Sequence, residues 1–141
     1  MRLLDANVLV ALALDTHVHH RAAHEALQAS SWPWATTPLT ESALVRLLLN
    51  RAVTGADFTG RQVLTQLTAM RRHPRWVFLP DDTSPVAAPI DLSVLVGFRQ
   101  VTDLHLVGLA ARHGAVLATF DAAILPVLAP EDRRHVEVLP I

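Results

Sequence analysis

Residues 3–14 read LLDANVLVALAL, and they hold the first strand and the first helix that the sequence predicts. Leu3 and Leu4 begin a short apolar run, which predicts a buried strand that ends at Asp5. The residues from Ala6 to Leu14 continue as a helix. This stretch therefore places a carboxylate at the carboxyl end of a buried strand, directly before a helix.

Strands and helices continue to alternate along the chain. Short apolar runs predict strands at residues 34–36, 76–79, 116–118 and 136–139, the last at a sheet edge. Longer segments predict helices at residues 18–29, 38–53, 59–72 and 102–113, a short helix from about residue 92, and a proline-rich loop over 80–89. This alternation predicts an α/β fold, with a central parallel sheet of four to five strands between two layers of helices.

Capping residues give the expected helix boundaries. Thr37, Thr59 and Thr102 are each predicted to cap the start of a helix, with Pro38 in the first turn of one of them. Gly114 is predicted to end a helix in the left-handed conformation. The helix over 18–29 is expected to bury its apolar positions at helical spacing, which are Val18, Ala22, Ala26 and Ala29.

The composition is that of one globular domain, which we assign to residues 1–141. Hydrophobic residues make up 51% of the chain and charged residues 18%, so some apolar surface is expected to be covered by self-association. The apolar runs are shorter than the roughly 20 residues of a membrane-spanning helix, and no secretory signal is recognised. These observations predict a cytoplasmic protein that does not span a membrane.

Several kinds of chemistry are excluded by residue type. The chain has no cysteine, which excludes disulfides, thiolate zinc sites and cysteine nucleophiles. All 12 basic residues are arginine, so Schiff-base chemistry and a phosphate-loop lysine are excluded as well. The net charge of -1 gives no overall attraction to nucleic acid, which would have to contact a local basic patch.

Four acidic residues are predicted to converge at the carboxyl edge of the sheet, where ligands bind in open α/β folds. They are Asp5, Glu41, Asp103 and Asp121. Two carboxylates about 4 Å apart repel by roughly 4 kcal/mol at an effective dielectric near 20, and a cation would relieve that repulsion. Oxygen ligands favour Mg²⁺ or Mn²⁺ over zinc. We therefore expect metal-assisted hydrolysis of a phosphodiester by an activated water, although any one of these acids, such as Asp103, could instead cap a helix.

The chain resembles the VapC-type PIN-domain toxins. The segments that carry the resemblance are LLDANVLVAL (3–12), TPLTESALVRLL (37–48), QVTDLHLVGLAARHG (100–114) and AVLATFDAAI (115–124). The resemblance implies a PIN-like fold and a Mg²⁺- or Mn²⁺-dependent endoribonuclease, in which the four acids bind the metal and carry the catalysis. It further implies that Asn7 and Thr119 support the site.

The same resemblance implies partners. Toxins of this kind are usually neutralised by a small cognate antitoxin whose tail enters the acidic groove, and they commonly form homodimers or higher toxin–antitoxin assemblies. Both partners would cover apolar surface. The RNA that is cut and the antitoxin are not specified by these motifs.

One departure from the family pattern follows Asp121. Many relatives carry a further acid and an aromatic residue here, whereas this chain has Ala122, Ala123 and Ile124. This difference keeps a second hypothesis open, in which the chain is a weak or inactive PIN-fold module that binds an antitoxin or nucleic acid. A DNA-directed or processing nuclease with the same acids is a third.

Other residue patterns were weighed against this interpretation. His17, His20 and His24 have the spacing of a transition-metal site on a helix, but a solvated helix face is the preferred interpretation. Ser42, His105 and Asp103 lack the nucleophile elbow of a hydrolase triad. The three tryptophans, Trp32, Trp34 and Trp76, are expected to fill the core rather than stack on bases. Among the arginines, Arg46 is the preferred contact for an RNA phosphate because it shares a helix with Glu41.

Overall fold

The computed structural model describes residues 1–141 and contains one sheet of five strands, all parallel. The strands are β1 (Arg2–Leu4), β2 (Trp34–Thr36), β3 (Trp76–Phe78), β4 (Val116–Thr119) and β5 (Val136–Val138). Their order across the sheet is β3-β2-β1-β4-β5, so the first strand is central and β3 and β5 are the edges. The predicted parallel sheet and the position of the last strand at its edge are confirmed.

Seven α-helices flank the sheet. They are α1 (Ala6–Ala13), α2 (His20–Gln28), α3 (Pro38–Leu48), α4 (Arg51–Thr54), α5 (Gly60–Arg71), α6 (Val101–Arg112) and α7 (Ile124–Val127). Four 3₁₀ helices cover Pro85–Ala87, Leu92–Val94, Phe98–Gln100 and Pro130–His135. No helix combines the length and the apolar character that a membrane crossing requires.

The hydrophobic core lies on both faces of the sheet. Neighbouring residues of a strand point to opposite faces, so Leu4 packs with α1 and α3 on one side while Leu3 packs with α6 on the other. Both leucines have no exposed surface. The result is the three-layer arrangement that the alternation of elements predicts.

Local capping signals are confirmed at three positions. Thr37 precedes α3, and its backbone N–H donates to the Thr40 hydroxyl at 3.1 Å. Thr59 caps α5 by accepting from the backbone N–H of Gln62 at 3.2 Å. Gly114 follows α6 with a φ of 62°, a conformation that favours glycine.

Two predicted helix boundaries are wrong. The helix from Pro38 ends at Leu48 instead of residue 53, because the Asn50 side chain accepts from the Ala52 N–H at 3.0 Å and starts the separate helix α4. Helix α6 starts at Val101 directly after a 3₁₀ turn, so Thr102 lies inside the helix and is not its cap.

The apolar face predicted for α2 is only partly confirmed, since Ala26 packs partly buried against the core. The helix starts at His20, so Val18 lies outside it and is 85% exposed, and the one buried residue of α2 is Ala23. Nδ1 of His20 is hydrogen-bonded to the Ala11 carbonyl oxygen at 2.8 Å. This contact fixes the first turn of the helix and places Ala23 against the core.

Candidate active site

The carboxyl edge of the sheet brings two of the predicted acids to neighbouring strands. Asp5 directly follows β1, Asp121 lies two residues after β4, and these strands are paired along their length. The chain leaves β1 for β2 and β3 on one side of the sheet and later adds β4 and β5 on the other. This reversal of strand order at β1 is the usual position of a ligand site in an open α/β sheet.

Asp5 is held by a network that includes both predicted supporting residues. Its Oδ2 accepts from the Thr119 hydroxyl at 2.7 Å and from the Asn7 amide at 2.8 Å. The Asn7 amide also donates to the Thr119 oxygen at 2.9 Å, and its carbonyl oxygen accepts from the Phe120 N–H at 3.2 Å. With Oδ2 occupied, Oδ1 of Asp5 has no side-chain hydrogen bond.

Burial governs the electrostatics of Asp5. Desolvation raises the pKa of this carboxyl above its ordinary value of 3.8, and the negative charge of Asp121 raises it further. The hydrogen bonds from Thr119 and from the backbone of Ala6 and Asn7 act in the opposite direction and lower the pKa. The net rise indicates a carboxylate whose charge is only partly compensated by the protein.

Asp103 belongs to the same cluster of charge. It lies in the first turn of α6, and its pKa is raised first by burial and then by the charges of Asp5 and Asp121. Asp121 is exposed, and its Oδ1 accepts from the Ala123 N–H at 2.8 Å. The structure therefore brings Asp5, Asp103 and Asp121 within electrostatic reach of one another.

The three aspartates have no cationic partner. Every ion pair in the protein involves other acids, so their like charges face one another without compensation. This set of hard oxygen donors fits a divalent cation such as Mg²⁺ or Mn²⁺. No three acidic or histidine side chains are arranged closely enough to hold one ion, so side-chain movements would have to accompany binding.

Glu41, the fourth predicted acid, has different neighbours. It lies in the first turn of α3, where its Oε1 accepts from the Thr36 hydroxyl at 2.6 Å and its Oε2 lies 3.7 Å from Nη1 of Arg71. Its charge is not among those that raise the pKa values of Asp5 and Asp103. Glu41 thus stands apart from the three aspartates in this conformation.

A groove of about 830 Å³ opens on the Glu41 side of the site, between α3 and α5. Glu41, Arg46 and Arg71 provide its charged groups, while apolar side chains such as Leu64 and Phe78 form much of its remaining surface. Arg46, the predicted phosphate contact, is exposed on the same wall as Glu41. The groove therefore presents both signs of charge beside an apolar surface.

Comparison with known proteins decides the family. Residues 2–127 match the PIN domain. The chain belongs to the PIN-domain family. Within that family, it is 45% identical over 124 residues to ribonuclease VapC39 of Mycobacterium tuberculosis, covering 86% of this chain and 89% of that protein. Ribonuclease VapC38 of the same organism is 43% identical, covering 100% of this chain and 99% of that protein.

A solved structure shares the fold of this PIN domain. The crystal structure of Mycobacterium tuberculosis VapC20, described as a sarcin-ricin loop cleaving toxin, superimposes with a TM-score of 0.53. The match covers 85% of this chain and 88% of that one, at 10% sequence identity. The predicted resemblance to VapC-type PIN-domain proteins and the predicted fold are both confirmed.

The alternative sites considered from the sequence have other neighbours in this PIN domain. Nε2 of His105 lies 2.6 Å from Oδ1 of Asp81, on the loop that follows β3, and not against Asp103. The rings of His20 and His24 are 4.5 Å apart, whereas His17 lies near His19. Neither group assembles a hydrolase triad or a three-histidine metal site.

The tryptophans only partly follow the expectation that they fill the core. Trp34 is buried and belongs to the hydrophobic core on the α1 side of the sheet. Trp32 is 54% exposed, and Trp76 is half-buried at the edge strand β3. The prediction holds for Trp34, is wrong for Trp32, and overlooks a hydrogen bond that Trp76 makes to Thr36.

Three residues near Glu41 were not found by sequence reasoning, namely Thr36, Arg71 and Trp76. Thr36 is the last residue of β2 and therefore occupies the same kind of position as Asp5, which follows β1. That placement at the carboxyl end of a strand was a usable signal. The contacts of Arg71 and Trp76 depend on the packing of α5 and β3 against α3, for which the sequence has no local signal.

Proposed function

We propose that this chain is a metal-dependent endoribonuclease that acts as the toxin of a toxin–antitoxin pair, with residues 1–141 as one PIN-like domain in the cytoplasm. The observation that carries the proposal is the cluster of Asp5, Asp103 and Asp121, which meet without a cationic partner in a chain of the VapC group. Relatives at 43% to 45% identity are named ribonucleases. Uncompensated carboxylates at this edge of the sheet support a metal-assisted reaction.

The proposed roles follow from the contacts of each side chain. Asp5, Asp103, Asp121 and Glu41 are the proposed catalytic and metal-binding acids. Bound Mg²⁺ or Mn²⁺ would supply an activated water and neutralise negative charge on the phosphate and leaving-group oxygens. Asn7 and Thr119 hold Oδ2 of Asp5, which leaves its Oδ1 available as a ligand.

Substrate contact is proposed for Arg46. Its guanidinium is exposed on the wall of the groove that also holds Glu41, where it can bind an RNA phosphate with two donors. The net charge of the chain is -1, so a local arginine beside Glu41 is the appropriate means of holding a polyanion. Replacing Arg46 with alanine is expected to reduce the slope of log RNA affinity against log salt concentration by about one, which corresponds to the loss of one phosphate contact.

Two protein partners complete the proposal. A cognate antitoxin is proposed to cover the groove between α3 and α5, where the apolar Leu64 and Phe78 are exposed beside Glu41 and Arg71. A second copy of the chain is proposed to cover Val96, Phe98 and Val101, which are exposed just before and at the start of α6. Higher toxin–antitoxin assemblies would combine the two contacts.

The deciding experiment is RNA cleavage by purified, partner-free protein in Mg²⁺, in Mn²⁺ and in EDTA. Asp5→Ala and Asp103→Ala are compared with Asp57→Ala, which removes an exposed aspartate paired with Arg51 outside the acidic site. We expect metal-dependent cleavage by the wild type and by Asp57→Ala, and a loss of more than about 100-fold in the other two variants, because outer partners alone typically contribute 10–100-fold. Circular dichroism checks that every variant is folded.

A second candidate function is a PIN-fold module that binds an antitoxin or nucleic acid without cutting it. Ala122 and Ala123, which stand where many relatives carry a further acid, favour this candidate. Folded protein that cleaves nothing with either metal but binds RNA or an antitoxin would favour it over the enzyme. Competition between labelled RNA and single-stranded DNA separates both from a DNA-directed nuclease.

A further inference from the structure

Glu41 is joined to the edge of the sheet by a chain of two hydrogen bonds. The indole Nε1–H of Trp76 on β3 donates to Oγ1 of Thr36 at 2.9 Å, and the Thr36 hydroxyl donates to Oε1 of Glu41 at 2.6 Å. Thr36 has no exposed surface, so no water competes for its hydroxyl. The contact links three elements, β3, β2 and α3.

The direction of these two hydrogen bonds is fixed by the types of donor. An indole N–H can only donate, and a threonine hydroxyl has a single hydrogen. Because Trp76 occupies a lone pair of the Thr36 oxygen, the Thr36 hydrogen is free to point at Glu41. Oε1 of Glu41 is thereby engaged, and Oε2 is left facing the groove, where Arg71 lies 3.7 Å away.

The indole itself is held from one side by Arg71. The Arg71 guanidinium lies 4.5 Å from the centre of the Trp76 ring and 5.2 Å from that of Phe78. Packing of this kind restricts the rotation of the indole and so keeps its N–H directed at Thr36. The side chain of Glu41 is only 12% exposed, so its carboxylate has few other positions to adopt.

We propose that Trp76 and Thr36 are positioning residues, which hold Oε1 of Glu41 so that Oε2 can exchange its ion pair with Arg71 for a divalent cation. The inference rests on the proposed function for the role of Glu41 as a ligand. It adds that the edge strand β3, which carries none of the four acids, sets the geometry of one of them.

The first test uses protein without metal or RNA. The three tryptophans give three indole N–H signals in a ¹⁵N-correlated spectrum, and Trp76→Phe identifies one of them. Thr36→Val and Glu41→Gln should both shift this signal. Thr83→Val is the control, because the buried hydroxyl of Thr83 has no hydrogen-bond partner. An indole signal that stays in place in both Thr36→Val and Glu41→Gln would disprove the relay, by which we mean the two hydrogen bonds from Trp76 through Thr36 to Glu41.

The second test measures Mn²⁺ affinity by calorimetry with the whole chain. Thr36→Val and Trp76→Phe should weaken Mn²⁺ binding by about 10-fold or more, the size typical of outer-shell partners of a metal ligand. Thr36→Ser should restore the affinity because it keeps the hydroxyl, and Thr83→Val should leave it unchanged. Unaltered affinity in Thr36→Val would overturn the proposed positioning role.

The two tests separate this inference from the proposed function. A wild type that neither binds Mn²⁺ nor cuts RNA would contradict the enzyme and the presentation of Glu41 to a cation, while the indole spectra would still decide whether the relay exists. A wild type that cuts RNA but binds Mn²⁺ no more tightly than Thr36→Val would retain the enzyme and reject the positioning role.

Discussion

The Thr119 hydroxyl donates to Oδ2 of Asp5 at 2.7 Å, although 114 residues separate the two in sequence. Oγ1 of Thr119 in turn accepts from the Asn7 amide at 2.9 Å and from the Asp121 N–H at 3.1 Å. A hydroxyl has one hydrogen and two lone pairs, so all of its bonding capacity is used. Thr119 therefore orients Asp5 and also ties the backbone of Asp121 to the same point.

Replacing Thr119 with valine removes this junction while preserving the shape of the side chain. We expect RNA cleavage by Thr119→Val to fall about 10–100-fold, the range for partners that orient a metal ligand. Thr119→Ser keeps the hydroxyl and should retain most of the activity. Initial cleavage rates at saturating Mn²⁺ provide the measurement, and a valine variant as fast as the serine variant would show that Asp5 needs no such partner.

The raised pKa of Asp103 predicts how stability depends on pH in the absence of metal. Because the folded state binds the proton more tightly than the unfolded chain, the carboxyl favours folding at low pH, and that contribution is lost as the pH rises through the raised pKa. At neutral pH the ionised group destabilises the fold. Asp103→Asn removes the charge and should therefore raise the melting temperature at neutral pH.

Thermal denaturation in EDTA from about pH 3 to pH 7 checks this sign. The advantage of Asp103→Asn should shrink towards zero as the pH falls below 3.8, the ordinary value of the carboxyl. Added Mn²⁺ should stabilise the wild type more than the variant, because a ligand that binds the folded state raises its stability. A difference in melting temperature between Asp103→Asn and the wild type that is equal at all pH values would contradict the raised pKa of Asp103.

Gly108 offers a stabilising substitution away from the site. It lies inside α6, where glycine is about 1 kcal/mol less favourable than alanine. An added Cβ would contact the Ala88 Cβ at 3.6 Å and the Ile90 Cγ1 at 3.7 Å, which is ordinary van der Waals distance. Gly108→Ala should raise the free energy of unfolding by roughly 0.5–1 kcal/mol in urea titrations, with no change in cleavage. A loss of stability would mean that Ala88 and Ile90 cannot accommodate the methyl group.

Phe98 provides a test of self-association. It is 84% exposed and lies between Val96, 92% exposed, and Val101, 46% exposed. Burying one such side chain contributes roughly 1.5–3 kcal/mol, so Phe98→Glu should weaken a dimer through this face by at least about 10-fold. Light scattering over a concentration series gives the mass. A wild type that is monomeric throughout, or a variant that dimerises equally well, would reject this face.

The main elements were predictable because their signals are local. At α5, Thr59 and Gln62 each satisfy a backbone donor of the other, and before α3 the Thr40 hydroxyl accepts from the Thr37 N–H, so the sequence alone predicts where these helices begin. The short strands follow from apolar runs. The wrong boundary near residue 53 has an equally local cause, since Asn50 accepts from the Ala52 N–H and competes with continuation of α3.

The candidate site was predictable as a set of positions but not as a geometry. Asp5 and Asp121 follow adjacent strands, so the α/β pattern predicts that they are neighbours. The side-chain direction of Glu41 depends on Thr36, Trp76 and Arg71, which come from three other parts of the chain. Contacts of this kind cannot be predicted from the periodicity of any one segment. The sequence pattern therefore groups Glu41 with the three aspartates, whereas in the structure its side chain contacts other residues.

The pairing of β1 with β4 has a consequence for protein synthesis. Leu3 is paired with Leu117, and the Asp5 network requires Thr119, so the centre of the sheet closes a loop of more than a hundred residues. Closing a loop of this length is slow compared with forming local helices. A ribosome that is still translating the first hundred residues carries a chain without its acidic cluster. Any activity that needs these acids together is therefore expected only after almost the whole chain has left the ribosome.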